Sequence, residues 1–564
     1  MIVRVRCAQG RATSLECGGE IMSMTLDQGS QPAGPFPRFL HSWVMGAVLL
    51  AAPGLGTAQT TITVDPSERF QNISGWECVS FAAQDDPTFA AFKDVLFERV
   101  INEAGINRVR LEVRSGAENS TDYFALYQSG QVDYATWRAN RYATLNDNAD
   151  PNLINPAGYH FTELDRNVQT TILPLRTLAA AKGEALYVNL NYVAFTSQIT
   201  TGSYHHQIPA EYAEFILATF QHLDQQFGFV PDAVEILLEP DNVSQWNGTL
   251  LGRAIVAVEA RLSAAGYFPE IIAPSCTNMG NAVSYFDALA AIPGALTALD
   301  ELCYHRYSGV SDANLQALAT RGQQHGKRLS MLEWWSAGNG IDVLFKDLTL
   351  GGNGAWQQGS LAGVGAVSDD MALYMVDVTN PGSPVVRINR KTRLLHQVYR
   401  FVRRGAVRVA AISSSPATQS VAFLNADGGA VVVIRATASG SFNVAGLPVG
   451  VYGLNYSTAA QFNLSLPGQA VPEGGVVVAS MPAAGVLTVY SLQPVISATL
   501  TRDQRLQLTI RSLKPGFTGS IERTSDPSQA SGWREVGGSG GSDFLFTWSE
   551  PIGVEPAFYR FRQP

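Results

Sequence analysis

The sequence contains little cysteine, with only five in 564 residues. Beyond the N-terminal region the cysteines are Cys78, Cys276 and Cys303, an odd number whose spacing fits neither a disulfide framework nor a zinc site. The Gly-rich stretch Leu350–Gly354 lacks the strand–loop–helix context of a phosphate-binding loop, and no Gly-x-Ser-x-Gly elbow with triad partners is evident. We therefore expect buried free thiols, no bound metal and no cofactor.

Charge is also sparse, at 15% of residues, and the net charge is −9. A negative balance without a long Lys/Arg cluster argues against nucleic acid or an anionic membrane as the main partner. Hydrophobic residues make up 46% of the chain, as in a soluble globular protein. The length exceeds what one core normally supports, so two or three domains are expected.

No apolar run is long enough to span a bilayer. The longest N-terminal one is Trp43–Ala52, which follows Arg38 and precedes small residues that end at Ala58. This pattern is typical of a signal peptide, so we predict cleavage near Ala58 and a secreted or cell-surface protein, with residues 1–58 as signal and upstream extension. A membrane anchor or a short buried helix is the alternative.

From about residue 59 to 385, apolar runs alternate with segments of helical periodicity. Most runs are continuous, as expected for parallel strands buried on both faces. Eight strand–helix repeats predict a (β/α)8 barrel. The predicted strands are Ile73–Ser80, Asn107–Val113, Leu186–Tyr192, Val234–Glu239, Ile271–Ser275, Leu302–Arg306, Leu329–Glu333 and Ala355–Leu361.

The character changes after residue 385. Short β-branched runs separated by Gly, Pro, Asn and Asp turns predict a β-sandwich over residues 386–494. Residues 495–564 are interpreted as a small immunoglobulin-like β domain. Its predicted strands lie near Ala498–Arg511, Gly519–Thr524 and Ala557–Arg562, with a turn region at Gly537–Ser542.

Two of the predicted barrel strands end in a glutamate. Glu239 closes one run before Pro240, and Glu333 closes another before Trp334. Active sites of such barrels lie at the carboxyl ends of the strands, and a buried carboxylate is costly unless it is used or paired. A converging carboxylate pair is what glycosidic bond hydrolysis requires, one as acid and one ionised. The alternative is that each Glu merely meets an Arg or a backbone amide.

Other strand ends supply candidate substrate-binding residues, each with a structural alternative. Arg110 is placed to keep a carboxylate ionised, or to pair with Glu112. Asparagine, histidine and tyrosine side chains there are suited to sugar hydroxyls, and tryptophan to the apolar face of a sugar ring, although the same residues serve packing equally well. The further candidates are Asn191, Asn242, His305, Tyr307 and Trp356.

Two other features are weaker. The pair His205–His206 does not predict a metal site, because adjacent residues rarely bind one ion and no nearby carboxylate or Cys spacing supports it. The aromatic-rich segment Gly116–Tyr159 is too long for an ordinary loop, so it is expected to form a binding wall or to pack on the barrel.

These motifs resemble glycoside hydrolase clan A, and most closely family 30, over roughly residues 60–495. The segments that carry the resemblance are Phe70–Trp76, Glu239–Pro240, Glu333–Trp334, Ala355–Gln357 and Gln397–Val409. The resemblance implies a retaining mechanism on a carbohydrate substrate, with Glu239 as acid/base and Glu333 as nucleophile. It also implies that a strand near Thr61–Val64 joins the sandwich. Ser520–Thr524 and Phe558–Arg560 resemble C-terminal modules of secreted bacterial proteins.

One position departs from the clan, which usually has Asn before the acid/base Glu. Here that residue is Leu238. Either Asp241 or Asn242 replaces the contact to the sugar, or the subsite is reshaped. A non-catalytic carbohydrate-binding protein on a hydrolase-like barrel is therefore the alternative function. A surface adhesion protein, suggested by the two C-terminal β domains, leaves the glutamate pair unexplained.

Overall fold

The protein is described here by a computed structural model. It covers residues 2–5 and 59–562, except 336–337, 339, 369–371, 493–494, 501–504, 512–518, 526–531, 540–544 and 552–556. Within these residues no helix combines the length and apolar character needed to cross a membrane. The apolar run Trp43–Ala52 and the cleavage site at Ala58 lie outside the described residues.

Eight parallel strands form a closed barrel, since the eighth pairs with both the seventh and the first. The predicted barrel is confirmed. Its strands are β1 (Gly75–Ala82), β2 (Arg108–Arg114), β3 (Tyr187–Val193), β4 (Ala233–Glu235), β5 (Glu270–Asn278), β6 (Glu301–Ser308), β7 (Arg328–Glu333) and β8 (Ala355–Val364).

Helices cover the outside of the barrel. The longest is Pro209–Phe227. It begins on a proline, which lacks the backbone N–H that would have no partner in the first turn of a helix, and it is followed by Gly228 in a left-handed conformation. Several helices continue as π-helical turns. The remaining helical bounds are Phe89–Glu98, Arg99–Ala104, Tyr123–Gln128, Tyr134–Asn140, Thr162–Asn167, Val168–Ile172, Leu173–Ala181, Gly248–Ala264, Met279–Ala290, Ala295–Ala298, Asp312–His325, Gly340–Lys346, Asp347–Gly351 and Thr392–Tyr399.

The fourth strand differs from the expected Val234–Glu239. It stops at Glu235, and the following backbone leaves the ladder before Glu239, which has a left-handed φ of 52°. Such a conformation is costly for a residue with a side chain, so surrounding contacts must hold it. The Glu239 N–H donates to Ser275 O at 3.2 Å, and the Leu238 N–H donates to Tyr192 O at 2.9 Å.

A nine-stranded, mostly antiparallel sheet system forms the sandwich. The strand Thr60–Asn72, which precedes the barrel, pairs there with Val407–Ser413 and Gly440–Ala445. Two short strands, Tyr374–Asp377 and Val385–Ile388, extend the barrel sheet from β8. The other sandwich strands are Thr418–Leu424, Ala430–Ala436, Gly450–Thr458, Leu464–Val471, Val477–Met481 and Gly485–Ser491.

The C-terminal unit contains two small sheets. The single strand expected over Ala498–Arg511 is wrong, because the structure has two antiparallel strands, Val495–Leu500 and Arg505–Arg511. The expected turn at Gly537–Ser542 is wrong for residues 537–539, which belong to the strand Arg534–Ser539, and its remainder lies outside the described residues. The strands of the unit are completed by Gly519–Thr524, Leu545–Pro551, Ala557–Arg562 and, from the other end of the chain, Ile2–Val5.

The barrel and the sandwich are joined through buried contacts of residues 392–403. The Trp76 indole donates to Val402 O at 2.6 Å and stacks on Tyr399 with ring centroids 5.0 Å apart. The buried Arg403 guanidinium donates to Gly105 O at 2.7 Å and to Glu184 at 2.9 Å. Residues 392–403, which lead into the sandwich, are therefore held on the barrel side through Trp76, Gly105 and Glu184.

Replacing Arg403 with methionine tests this junction. We expect a loss of about 3 kcal/mol, because the carbonyl of Gly105 and the carboxylate of Glu184 lose a buried partner. Arg253→Met is the matched control, since Arg253 is exposed on the helix Gly248–Ala264. Urea-unfolding midpoints followed by tryptophan fluorescence measure both variants. Equal midpoints for the two would show that Arg403 does not join the domains.

Candidate active site

The carboxylate of Glu333, the last residue of β7, is held by two donors. Arg110 on β2 donates through Nη2 at 2.5 Å, and the Tyr307 hydroxyl on β6 donates at 2.7 Å. Burial tends to lower the pKa of Arg110, but the charges of Glu333 and Glu112 outweigh it and raise that pKa further above its ordinary value. A permanent positive charge therefore faces Glu333, as an ionised carboxylate requires.

Arg110 belongs to a chain of ion pairs that reaches outward. Its Nη2 also lies 3.1 Å from Glu112, which pairs in turn with Arg114. Arg114 and Arg141 both contact Glu163 on the helix that follows the long segment. The sequence left two alternatives for Arg110, a catalytic carboxylate or Glu112, and the structure shows it contacting both.

Glu239 lies opposite, after the end of β4. Asn242 donates through Nδ2 to Oε2 at 2.9 Å, and His305 Nδ1 lies 3.2 Å from Oε1. The turn Pro240–Asn242 is a 3-10 helix, which brings the Asn242 amide back over the carboxylate. Glu239 thus has a neutral donor and an imidazole as partners, whereas Glu333 has a guanidinium.

The two glutamates converge with His305. One carboxylate oxygen of each Glu and a His305 ring nitrogen all lie within 4.8 Å of one another. Three such ligands could also hold a metal ion. The guanidinium of Arg110 against Glu333 opposes a second cation there, so the arrangement favours acid–base chemistry.

His305 is fully buried. Burial lowers its pKa, but the hydrogen bond to Glu239 and the charges of Glu333 and Glu239 more than compensate, so the net pKa is raised above 6.5. Its Nε2 has no hydrogen-bond partner in the structure. This ring nitrogen is accordingly available to a ligand.

Asn191 on β3 is also fully buried, and among the described residues neither its amide oxygen nor its amide nitrogen has a hydrogen-bond partner. It lies in register with Glu112 on β2 and Glu235 on β4. An amide buried with both ends unsatisfied is expensive, and a ligand hydroxyl can satisfy both the donor and the acceptor.

Trp356 does not join this group. Its indole donates to Asp347 at 2.8 Å, and its ring packs against Trp334 and Tyr399. Because the side chain has no exposed surface, a sugar ring cannot stack on it in this structure. The sugar-stacking role expected for Trp356 is corrected to a role in the core between barrel and sandwich.

The structure separates the two residues considered as replacements for the missing asparagine. Asp241 accepts bonds from the Thr277 N–H at 2.9 Å and from Asn281 at 3.0 Å, so it fastens the end of β5. Leu238 is buried against Tyr142 and Val193. Asn242, which is exposed and contacts Glu239, is the one of the two that remains near the carboxylates.

Sequence reasoning missed Glu235 and Ser275, two polar residues linked to the pair. Glu235 on β4 accepts from Asn189 at 2.8 Å and from the Ser275 hydroxyl at 2.6 Å. Ser275 in turn receives the Glu239 N–H on its carbonyl, which links Glu235 to the backbone of Glu239. The available signal was an acid inside the apolar run that Glu239 closes.

The long segment Gly116–Tyr159 contains two short helices, Tyr123–Gln128 and Tyr134–Asn140, rather than one irregular loop. Its aromatic rings pack on one another, with Tyr127 stacked on Trp137 at 5.1 Å.

Of the cysteines, Cys78, Cys276 and Cys303 are buried and unpaired. Burial raises the pKa of all three thiols, which disfavours the reactive thiolate form.

No family model and no curated protein sequence matches the chain. Solved structures do. An endoxylanase of glycoside hydrolase family 30 from Clostridium papyrosolvens has 16% identity and a TM-score of 0.54, covering 77% of this chain and 100% of its own. The catalytic domain of family 30 xylanase C from Talaromyces cellulolyticus has 18% identity and a TM-score of 0.56 over the same shares.

A glucosidase from Croceicoccus marinus has 13% identity and a TM-score of 0.50, covering 77% of this chain and 98% of its own. At these identities the likeness is one of fold. The chain therefore has the barrel-plus-sandwich fold of family 30 enzymes, which is the resemblance that the sequence motifs indicated.

The pKa of His305 provides a test of the site geometry. Glu239→Gln removes a charge and an acceptor, so the pKa of His305 should fall. Because the pKa of His305 is raised in the folded state, its protonation stabilises the folded protein. This stabilisation is fully present below about pH 6.5 and is lost as the pH rises through the folded-state pKa. The variant should lose this contribution.

Histidine ring signals in two-dimensional NMR measure the shift. His396 is the internal control, because burial and the charges of Arg400 and Arg393 lower its pKa to about 3. A His305 pKa that does not change in Glu239→Gln would contradict the described contact.

Proposed function

We propose that this protein is a secreted retaining β-glycoside hydrolase that cleaves O-glycosidic bonds in an oligo- or polysaccharide. The observation that carries the proposal is the approach of Glu239 and Glu333, with one oxygen of each within 4.8 Å of the other. Retaining enzymes have carboxyl groups about 5–5.5 Å apart, whereas inverting enzymes need about 6.5–9.5 Å to admit a water. The short gap favours double displacement.

Glu333 is the proposed nucleophile. Arg110 and Tyr307 both donate hydrogen bonds to its carboxylate and hold it in place. An oxygen of Glu333 forms a bond to the anomeric carbon while the bond from that carbon to the leaving oxygen breaks. The Arg110–Glu112–Arg114 chain of ion pairs fixes the position of the Arg110 guanidinium.

Glu239 is the proposed acid/base. In the first step Glu239 donates its proton to the leaving oxygen. In the second step Glu239 takes a proton from the water that attacks the glycosyl-enzyme. Release of the sugar regenerates the Glu333 carboxylate and returns the proton to Glu239. Asn242 and His305 orient the Glu239 carboxyl in both steps.

Substrate binding is assigned to the polar atoms that lack partners. Asn191 offers an amide donor and acceptor, and His305 offers Nε2, to sugar hydroxyls. Tyr307 is partly exposed at the mouth beside them. Secretion, supported by the predicted signal peptide before Ala58, would bring such a site to extracellular glycans.

A non-catalytic carbohydrate-binding protein is the second candidate, because Leu238 stands where the clan has asparagine. Leu238 is buried in an apolar cluster and offers no contact to a sugar hydroxyl. Retention of both carboxylates with complete sets of partners supports catalysis over binding alone.

Glu239→Gln and Glu333→Gln should both lose activity on a panel of β-linked polysaccharides. We expect Glu239→Gln to lower kcat/KM by roughly 10²–10⁴. It should retain the first step on aryl glycosides with acidic leaving groups, which need no proton, and therefore show a burst. Glu333→Gln should show neither burst nor turnover.

Glu259→Gln, an exposed helical glutamate, is the matched control and should leave turnover unchanged. Proton NMR should show that the first product has the same anomeric configuration as the substrate. Turnover that is the same in wild type and both site variants would overturn the enzymatic proposal. Saturable glycan binding without any cleavage would favour the second candidate, and an inverted product would exclude double displacement.

Asn191→Ala should lower kcat/KM by roughly 10- to 100-fold, corresponding to about 1–3 kcal/mol for a lost polar contact in a buried site. The free energy of unfolding of the variant without substrate should not fall by a comparable amount, since the Asn191 amide has no partner among the described residues. Steady-state kinetics and thermal melting measure the two effects. A variant with normal kinetics would remove Asn191 from the substrate site.

A further inference from the structure

The strand β7 is irregular at the end that carries the proposed nucleophile. Tyr304 on β6 is paired with Met331 on β7, but the next residue, His305, is paired with Glu333. Leu332 is therefore an extra residue, which makes a β-bulge. Leu332 packs inside the barrel with residues of β3, β4, β5, β6 and β8, and Glu333 also faces the interior through its contacts with β2 and β6. A strand without the bulge would turn Glu333 outward.

The outward-facing side chains of β6 at this level converge on one buried acid, Asp347. The Tyr304 hydroxyl donates to Asp347 Oδ1 at 2.8 Å, and Arg306 donates to the same oxygen. The Trp356 indole on β8 donates to Oδ2 at 2.8 Å. Asp347 begins the π-helical turn that follows the helix Gly340–Lys346. It therefore fastens β6 and β8 to the connection between β7 and β8.

Asn353, shortly after that turn, ties β7 into the same group. In the orientation that satisfies both ends of its amide, Asn353 accepts from the Met331 N–H at 3.0 Å and donates to the Asp347 carbonyl at 3.0 Å. Met331 is the last paired residue of β7 before the bulge. Asp347, Asn353 and Met331 have no exposed surface. The bulge is thus fixed from outside the barrel.

Charge is matched within this group. Asp347 is fully buried and Arg306 is 8% exposed, and the two form an ion pair. A buried carboxylate is stable only when it is paired and its oxygens accept hydrogen bonds, and Asp347 meets both conditions through one guanidinium and two neutral donors. Such a carboxylate is a rigid anchor.

The inward-facing residues of β6 alternate with the anchored ones. His305 and Tyr307 lie next to Arg306 on either side. Because successive side chains of a strand point to opposite faces, an outer side chain that is held in place also fixes the inner ones. His305 Nδ1 lies 3.2 Å from Glu239. The Tyr307 hydroxyl donates to Glu333 at 2.7 Å, so one outer anchor supports partners of both carboxylates.

We propose that Asp347 is a positioning residue of the active site, which holds Glu333 and its partners on β6 in place from outside the barrel. The proposal rests on the proposed function, since it assigns a role in the same reaction. The described contacts of Asp347 lie on the outer face of the strands, so it acts through the bulge and through His305 and Tyr307. A displacement of about 1 Å at a reacting group can lower a rate by about 100-fold.

Asp347→Asn tests the effect on the nucleophile. The variant keeps the size of the side chain but removes its charge and one of its two acceptor oxygens. Aryl β-glycosides with acidic leaving groups need a positioned nucleophile but no proton. We therefore expect the burst rate on these substrates to fall by roughly 10- to 100-fold while KM changes little. Stopped-flow and steady-state kinetics measure the two quantities.

The pKa of His305, measured by NMR, is a second readout that does not depend on turnover. Burial lowers the pKa of His305 and the hydrogen bond to Glu239 raises it, so a looser contact in Asp347→Asn should lower that pKa. A wild type without turnover would refute the proposed function and leave this readout to decide the role of Asp347. An unchanged His305 pKa, or an unchanged burst rate beside an active wild type, would overturn that role.

Arg403→Met is the matched control, because it also breaks a buried ion pair, with Glu184, and its described partners lie outside β6, β7 and β8. At a temperature where both variants are folded it should keep the wild-type burst rate and His305 pKa. Equal losses in the two variants would show general destabilisation and overturn the proposal.

Tyr304→Phe is the second variant, for use if Asp347→Asn does not fold. It removes only the hydroxyl that donates to Asp347. It should lower the same two quantities, the burst rate and the pKa of His305. Wild-type values of both in Tyr304→Phe would then overturn the proposal.

Discussion

Charge compensation inside a closed barrel is the constraint on which the site depends. Arg108 and Arg110 stand two residues apart on β2, so both side chains point to the same side of the strand. Arg108 pairs with Glu77 and Glu301, and Arg110 pairs with Glu333 and Glu112. Removing either partner would leave a charge where water cannot solvate it, so each arginine and its acids form a unit.

The two members of the carboxylate pair are positioned by different means. Glu333 is the last residue of β7, and its ion pair with Arg110 follows from the strand register around the barrel. Glu239 lies beyond its strand in a left-handed conformation held by backbone bonds to β3 and β5. Left-handed backbone conformations thus occur at Glu239 and at its partner Ser275, which has a φ of 58°, while the proposed nucleophile is still within its strand.

Much of the fold was predictable because parallel strands buried on both faces leave continuous apolar runs. The predicted strands β1–β3 and β5–β8 agree with the observed ones to within about three residues at each end. β4 was overextended, since Ile236, Leu237 and Leu238 are buried and apolar although the backbone has left the ladder. Trp356 was misplaced for a related reason, because a buried indole with a hydrogen-bond partner has the same sequence signature as an exposed stacking platform.

The sequence by itself determined the barrel, the sandwich and the two glutamates, because apolar periodicity and a charge that ends an apolar run are properties of short segments. Only the tertiary structure decided which side chains meet. Arg110 with Glu333, Asn242 with Glu239 and Glu118 with His206 join residues whose contact depends on barrel closure, on a 3-10 turn and on the packing of a long segment. Such contacts depend on register and local backbone geometry, which no spacing along the chain encodes.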